Sequence, residues 1–335
     1  MQETLIVGVD VSKKTLDLHF QPTSTTLQIS NDLTGFKKCL QAIKRETGPA
    51  SKVLVIMEHT GQYSYRFENF LRSREIGFCK IPALQIKRSI GVTRGKTDKI
   101  DAQRIAEYGW LRRDMIVAET QLEKGLVELR SLISLRASLV RTRAGFMSRL
   151  KEMIASGTCS AGCFAGKTQQ QVINQLSVKI HQTEAKIKGL INDNEDFKRT
   201  SDLLQSIKGV GWLIAAFMIS CTNNFKRFKN ARKFNCYAGL APFKTQSGTS
   251  ISRRARVSHL ANKEAKTLLN LGACSAIRFN PELKEYYQRR VAEGKRKMSC
   301  LNMIRAKIVG RMFAVIKRQT AYEPCRIAVL INPVL

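Results

Sequence analysis

Two acidic residues each close an apolar run. Asp10 follows Leu5-Ile6-Val7-Gly8-Val9, and Glu58 follows Val53-Leu54-Val55-Ile56-Met57. A charge at the end of a buried strand is costly unless it is paired or metal-bound, and two such strands in one sheet can bring both carboxylates to the same edge. A third acidic element is Gly95-Lys96-Thr97-Asp98-Lys99-Ile100-Asp101-Ala102. Here Thr97 can cap a helix, and Asp98 and Asp101, three apart, share one helical face. Gathered in one place, Asp10, Glu58, Asp98 and Asp101 would repel one another strongly without cations, and hard oxygen ligands of this kind suit Mg²⁺ or Mn²⁺. In two-metal phosphoryl transfer one ion activates the attacking oxygen and the other steadies the leaving oxygen, with the ions about 4 Å apart. That is chemistry for a nucleic-acid backbone. Singly, each acid reads as an ordinary cap or surface charge; the metal reading belongs to the set. Asp17, on an alternating segment, reads as solvent-facing.

Groups suited to phosphate lie nearby and further along the chain. Arg94, Lys96 and Lys99 surround the last acidic pair, where they would either hold a backbone phosphate or simply balance charge. The stretch from Leu204 to Ala216, with Ile207-Lys208-Gly209-Val210-Gly211-Trp212 at its centre, has the form of a helix-hairpin-helix. Its Gly209 and Gly211, beside Lys208, would let backbone N–H groups at a helix start approach a phosphate; the alternative is a tight turn between packed helices. Gln246-Ser247-Gly248, followed by Arg253, Arg254 and Arg256, sets a hydroxyl in a phosphate-binding environment. On composition alone Ser247 is a loop serine first and a nucleophile second.

The elements that must position these groups follow from periodicity. Leu5 to Val9 is a buried strand; Leu16, Leu18 and Phe20 alternate with polar neighbours; a third strand lies near Leu27 and Ile29. Turns at Ser12-Lys13-Lys14 and Pro22-Thr23-Ser24 join them into an antiparallel meander. A helix marked by Phe36, Leu40 and Ile43 comes next, then the Val53–Met57 strand, a helix at about 63–75 and a short strand at Gly77-Phe78-Cys79-Lys80. This order predicts a mixed sheet covered by helices, the ribonuclease H-like order. From about 119 the pattern becomes long helices. Leu122, Leu126, Leu129 and Ile133 line one arm, and Val172, Leu176, Ile180, Ile187 and Leu190 the other, with a turn across Gly157 to Gly166. An antiparallel hairpin or coiled coil is expected, serving as spacer or dimerisation arm. A compact helical region starts near 201, with a loop from Gly239 to Gly248 and helices at about 262–278, 282–293 and 297–319.

Composition narrows the partner. Fifty-seven Lys and Arg against 26 Asp and Glu leave a net charge of +31, so a polyanion is expected. No apolar run approaches the roughly 20 residues of a membrane span, and no signal peptide opens the chain, which favours nucleic acid over a membrane surface. The nine cysteines are an odd number, scattered and without a C-x-x-C pair, so a zinc site is not expected and a reducing cytoplasm fits.

Together, Gly8-Val9-Asp10-Val11-Ser12-Lys13, the strand end at Glu58, Gly95-Lys96-Thr97-Asp98-x-x-Asp101-Ala102 and Gly239-Leu240-Ala241-Pro242 with Ser247-Gly248 resemble one family. It is the DEDD transposases of insertion-sequence family one hundred and ten, which includes the Piv-type DNA invertases. The resemblance runs through nearly the whole chain. It implies a RuvC-like domain at 1–115 holding metal on Asp10, Glu58, Asp98 and Asp101, a coiled coil at 116–200, and a C-terminal transposase domain at 201–335. It further implies that Ser247 attacks DNA to form a phosphoserine link, that a structured bridge RNA pairs with donor and target DNA, and that the protein works as a homo-oligomer. One departure is His259-Leu260-Ala261-Asn262-Lys263, where the family often has Lys-x-Gly-Asn. It leaves Ser250 and Ser252 as alternative nucleophiles.

The expected function is therefore an RNA-guided, metal-dependent recombinase of a mobile element. A RuvC-like junction-resolving nuclease that uses metal-bound water, and a site-specific invertase without a guide, are the alternatives. A nucleic-acid-packaging protein without catalysis is the rival from another class.

Overall fold

The computed structural model describes residues 4–47, 52–59, 61–89, 91, 97–119, 124–160, 162–247 and 251–323. The chain divides into two compact units, residues 1–121 and 122–335.

The first unit begins with the predicted meander, β1 (Thr4–Val11), β2 (Thr15–Gln21) and β3 (Thr26–Ser30), followed by α1 (Leu33–Glu46), β4 (Lys52–Glu58), α2 (Tyr65–Ser73), β5 (Gly77–Ile81), α3 (Ala83–Ser89) and α4 (Asp98–Leu111). The sheet order is β3-β2-β1-β4-β5. The meander pairs are antiparallel, whereas β1–β4 and β4–β5 are parallel, so the sheet is mixed. Strand alternation sorts the side chains. Leu5, Val7, Val9, Leu16, Leu18, Phe20, Val55 and Met57 face one side and pack with Phe36, Phe67 and Phe70 of α1 and α2. Ile6, Leu54 and Ile56 face the other, with Ile86 of α3 and with Ile105 and Tyr108 of α4.

The seating of α4 depends on two glycines. A Cβ on Gly8 would stand 2.3 Å from the amide nitrogen of Ala106 and 2.5 Å from the carbonyl of Ala102. One on Gly109 would meet the Ile56 side chain at 2.2 Å. The backbone of α4 thus lies directly on β1 and beside β4, at a distance that side chains at these positions would forbid. Thr97 caps the helix as expected, its Oγ1 accepting from the Ile100 amide at 3.3 Å.

The second unit is almost all helix. Its long arms are α5 (Lys124–Ala155) and α6 (Phe164–Asn192). Contacts between Arg136 and Glu184, Glu128 and Lys186, and Arg143 and Ser177 run in opposite senses along the two arms, making the pair antiparallel. In the turn between them Cys159 and Cys163 form a disulfide, a pairing that the scattered cysteine pattern did not predict. The remaining elements are α7 (Glu195–Gln205), α8 (Trp212–Thr222), α9 (Ala231–Tyr237), β6 (Pro242–Ser247), β7 (Ile251–Val257), α10 (Lys263–Phe279), α11 (Pro281–Ala292) and α12 (Lys297–Arg318). Leu126, Leu129, Ile133, Ile187 and Ile191 at the root of the arms share one core with α7, α8, α10 and α12. The segment read as a loop from Gly239 to Gly248 is instead largely strand β6, paired with β7 through a bulge between Phe243 and Thr245. Turn signals at both ends hid a short polar strand whose partner, rich in arginine, has no apolar alternation.

Replacing Gly8 with alanine should push α4 away from β1. We expect a loss of about 1–3 kcal/mol of stability, the usual range for overpacking, measured by denaturant unfolding. The same substitution at the open position Gly145, which has no neighbour within 4 Å, should be neutral or stabilising.

Candidate functional site

The sheet register brings the first two predicted acids together. Gly8 pairs with Ile56 and Val9 with Met57 in parallel register, so Asp10 and Glu58 end neighbouring strands. By alternation both point to the α4 side, as Ile6 and Ile56 do. The helix then presents Asp98 and Asp101 in its first turn. Burial pushes the Asp10 carboxyl up to about 6, reinforced in turn by Asp98, Asp101, Glu58 and Asp17. Every member of the predicted set therefore acts on Asp10.

The carboxylates converge without forming a closed ligand shell. Among the described residues no three His, Cys, Asp or Glu side chains stand close enough to share one ion. Asp101 is turned to Arg104, whose Nη1 donates to Oδ1 at 3.0 Å, and Asp98 is exposed. The all-oxygen donor set and the strain on the charge of Asp10 still fit a hard divalent cation. Arg94 and Lys96 lie outside the described residues; Lys99 is exposed on α4.

One expectation is corrected. Asp17 is not solvent-facing: it is 5% exposed and is the direct cross-strand partner of Asp10. β2 does alternate, but its polar face lies beneath α4 rather than in water. Burial raises the Asp17 carboxyl, and the Gln28 amide, donating at 3.0 and 3.2 Å to its two oxygens, partly offsets this. His19, next along the same face, is also buried and held by Thr26; burial lowers its value.

In the second unit, Gly209 and Gly211 separate in role. Gly209 has φ +97° and packs on α10, where a Cβ would meet the Gly272 carbonyl at 2.6 Å. This is the packed-turn role. Gly211 is exposed, has open space around its Cα, and opens α8 with no side-chain cap, while Lys208 beside it is exposed. Ser247 ends β6 opposite Ile251, and Ser252 pairs with Gln246. Ser247, Ser252, Arg253 and Arg254 are described by backbone only, Ser250 lies outside the described residues, and Arg256 is exposed.

The root of this hairpin is held in part by Asn302 and Arg305, which no sequence motif singled out. Asn302 donates to the Leu240 carbonyl at 2.7 Å, and the buried Arg305 donates to Asn302 and to Asn270. Asn262 caps α10 and donates to the Tyr237 hydroxyl at 2.8 Å. The departure at Ala261 falls here: its Cβ lies only 2.5 Å from where a Cβ on Gly239, at φ +64°, would stand. The absent glycine is thus accommodated by one that is present.

Sequence comparison adds the class. The DEDD transposase model matches residues 7–157, and the transposase model of the IS116/IS110/IS902 family matches 201–288. A pilin gene-inverting protein of Moraxella bovis is 25% identical over 95% of this chain and 97% of its own length. The transposase of insertion sequence IS1111A from Coxiella burnetii is 24% identical over 83% and 79%, and an uncharacterised 43.6 kDa protein of insertion element IS110 from Streptomyces coelicolor is 28% identical over 43% and 35%. The protein is a transposase-class enzyme acting on DNA. Within that class, the chain belongs to the IS110 family of DEDD transposases, with DNA-inverting relatives.

The raised carboxyl of Asp10 makes a pH prediction. Because its folded value lies above the ordinary 3.8, the folded state holds an extra proton between about pH 4 and 6, and this group destabilises the fold above that range. In chelator, Asp10→Asn should melt above the wild type near pH 7, and the difference should shrink as pH falls towards about 4. Thermal melts across that series check it; a pH-independent difference contradicts it.

Proposed function

We propose that this protein is a metal-dependent DNA recombinase of a mobile element that cuts and rejoins strands through Ser247. The observation that carries the reading is the convergence of Glu58, Asp98 and Asp101 on Asp10. Asp10, Glu58, Asp98 and Asp101 would hold Mg²⁺ or Mn²⁺, with Asp101 leaving Arg104 to do so. When bound, the ions would supply positive charge against the scissile phosphate. The mixed sheet with two acidic strand ends supports a RuvC-like assignment for residues 1–115, followed by a coiled-coil part at 116–200 and a transposase part at 201–335.

The remaining chemistry belongs to the chain. The Ser247 oxygen displaces a sugar oxygen at phosphorus, so one P–O bond forms as another breaks and the strand stays attached as a phosphoserine. Reversal by a new strand end rejoins DNA without an outside energy source. Arg253, Arg254 and Arg256 on the partner strand would hold the backbone near that hydroxyl, and Arg94, Lys96 and Lys99 would do so near the carboxylates. Lys208 and the open amides after Gly211 would add a sequence-independent phosphate contact, Gly209 supplying the turn. A structured bridge RNA would carry the sequence information, consistent with a net charge of +31 that exceeds what solubility needs. The protein would act as a homo-oligomer in the bacterial cytoplasm; among the described residues no helix is long and apolar enough to cross a membrane. A second reading, DNA inversion, is favoured by the Moraxella relative that spans nearly the whole chain.

Incubation with DNA and Mg²⁺, followed by denaturing electrophoresis, should trap a covalent protein–DNA adduct. Chelation or Ser247→Ala should abolish it, with a fall in cleavage of about a thousandfold or more, while Ser250→Ala and Ser252→Ala retain it. Cleavage that persists in Ser247→Ala would replace the serine mechanism with attack by water. A discrete RNA species copurifying with the protein supports guidance, and random cellular RNA counts against it.

A further inference from the structure

Four residues on neighbouring strands form one row across the sheet. Glu58 ends β4 beside Asp10, Asp10 pairs with Asp17, and Asp17 pairs with Gln28 of the edge strand β3. Alternation turns the row to the α4 side, so three carboxylates in succession meet a single amide. Like charges directly opposite across a strand pair destabilise a sheet, because their Cβ atoms lie only about 4.5–5.5 Å apart. Asp17 is nearly inaccessible to water, and among the described residues no lysine or arginine pairs with it. Its described hydrogen-bond partner is the Gln28 Nε2, shared between both carboxylate oxygens.

A buried carboxylate opposite another carboxylate has no structural reason to be acidic. Asparagine or threonine would accept the same Gln28 bond without the repulsion, and threonine suits a strand better. What the acid adds is negative charge directly behind Asp10. The amide holds both oxygens towards the sheet edge, so Asp17 stays behind the ligand set rather than joining it.

Building on the metal-dependent reading above, we propose that Asp17, fixed by Gln28, is a positioning residue of the metal site that tightens divalent-cation binding by its charge. Outer groups behind metal ligands are worth about 10–100-fold in affinity, and Asp17 falls at the lower end because it acts without a bond to a ligand.

The test uses the full chain and two readouts other than catalysis. Mn²⁺ binding is followed by calorimetry, and melting is recorded in chelator and in excess Mg²⁺, for the wild type, Asp17→Asn and Asp17→Thr. Both variants should bind Mn²⁺ about tenfold more weakly. Both should melt higher than the wild type in chelator, because the repulsion is gone, yet gain less on adding Mg²⁺. Either variant suffices if the other does not fold. Unchanged Mn²⁺ affinity, or a lower melting point in chelator with the full Mg²⁺ gain retained, would show Asp17 to be structural only and overturn the proposal. If the wild type itself shows no saturable Mn²⁺ binding, the metal reading fails and this inference with it.

Discussion

The approach of α4 to β1 is the constraint on which the first unit depends. Asp10 and Glu58 are fixed by strand register, and Asp98 and Asp101 come within electrostatic range of Asp10 because the helix backbone touches the sheet over Gly8. A side chain there would move the first turn of α4 further from the ends of β1 and β4. The same contact buries the polar side of β2, including Asp17 and His19, and so creates the low-dielectric setting in which charges act strongly on one another. Geometry and electrostatics at this site thus have one origin.

The charge distribution has two scales. Over the whole chain the excess is strongly positive, which draws in nucleic acid; around the ends of β1 and β4 it is locally negative, which adds to burial in resisting ionisation of Asp10. The two serve different parts of one task, since a backbone phosphate and an acidic cluster repel unless cations lie between them. Ser247 belongs to the other unit, on a two-stranded hairpin rooted by Asn302, Arg305 and Asn262 in the helical core.

Much of this was legible in the sequence. The five strands of the first unit, the cap at Thr97, the two arms and the last three helices follow from periodicity and turn residues, because each buries a continuous apolar face. Three features were not. Asp17 looked exposed because alternation gives two faces without saying which is covered. The β6–β7 pair looked like a loop because its residues are polar and its ends carry glycine. The Asn302–Arg305 support is tertiary, linking residues some 60 positions from the turn they hold. The role proposed for Ser247 rests mainly on the family resemblance, since the local signal, a hydroxyl followed by three arginines, marks a loop serine as readily as a nucleophile.

On the proposed reading Asp10, Glu58, Asp98 and Asp101 together hold a divalent cation. Crystals grown with Mn²⁺ and measured near its absorption edge test this most directly. Anomalous density should appear between the ends of β1 and β4 and the first turn of α4, and should be lost in Asp10→Asn. Manganese bound elsewhere in the molecule, or no peak at that sheet edge at saturating metal, would contradict it.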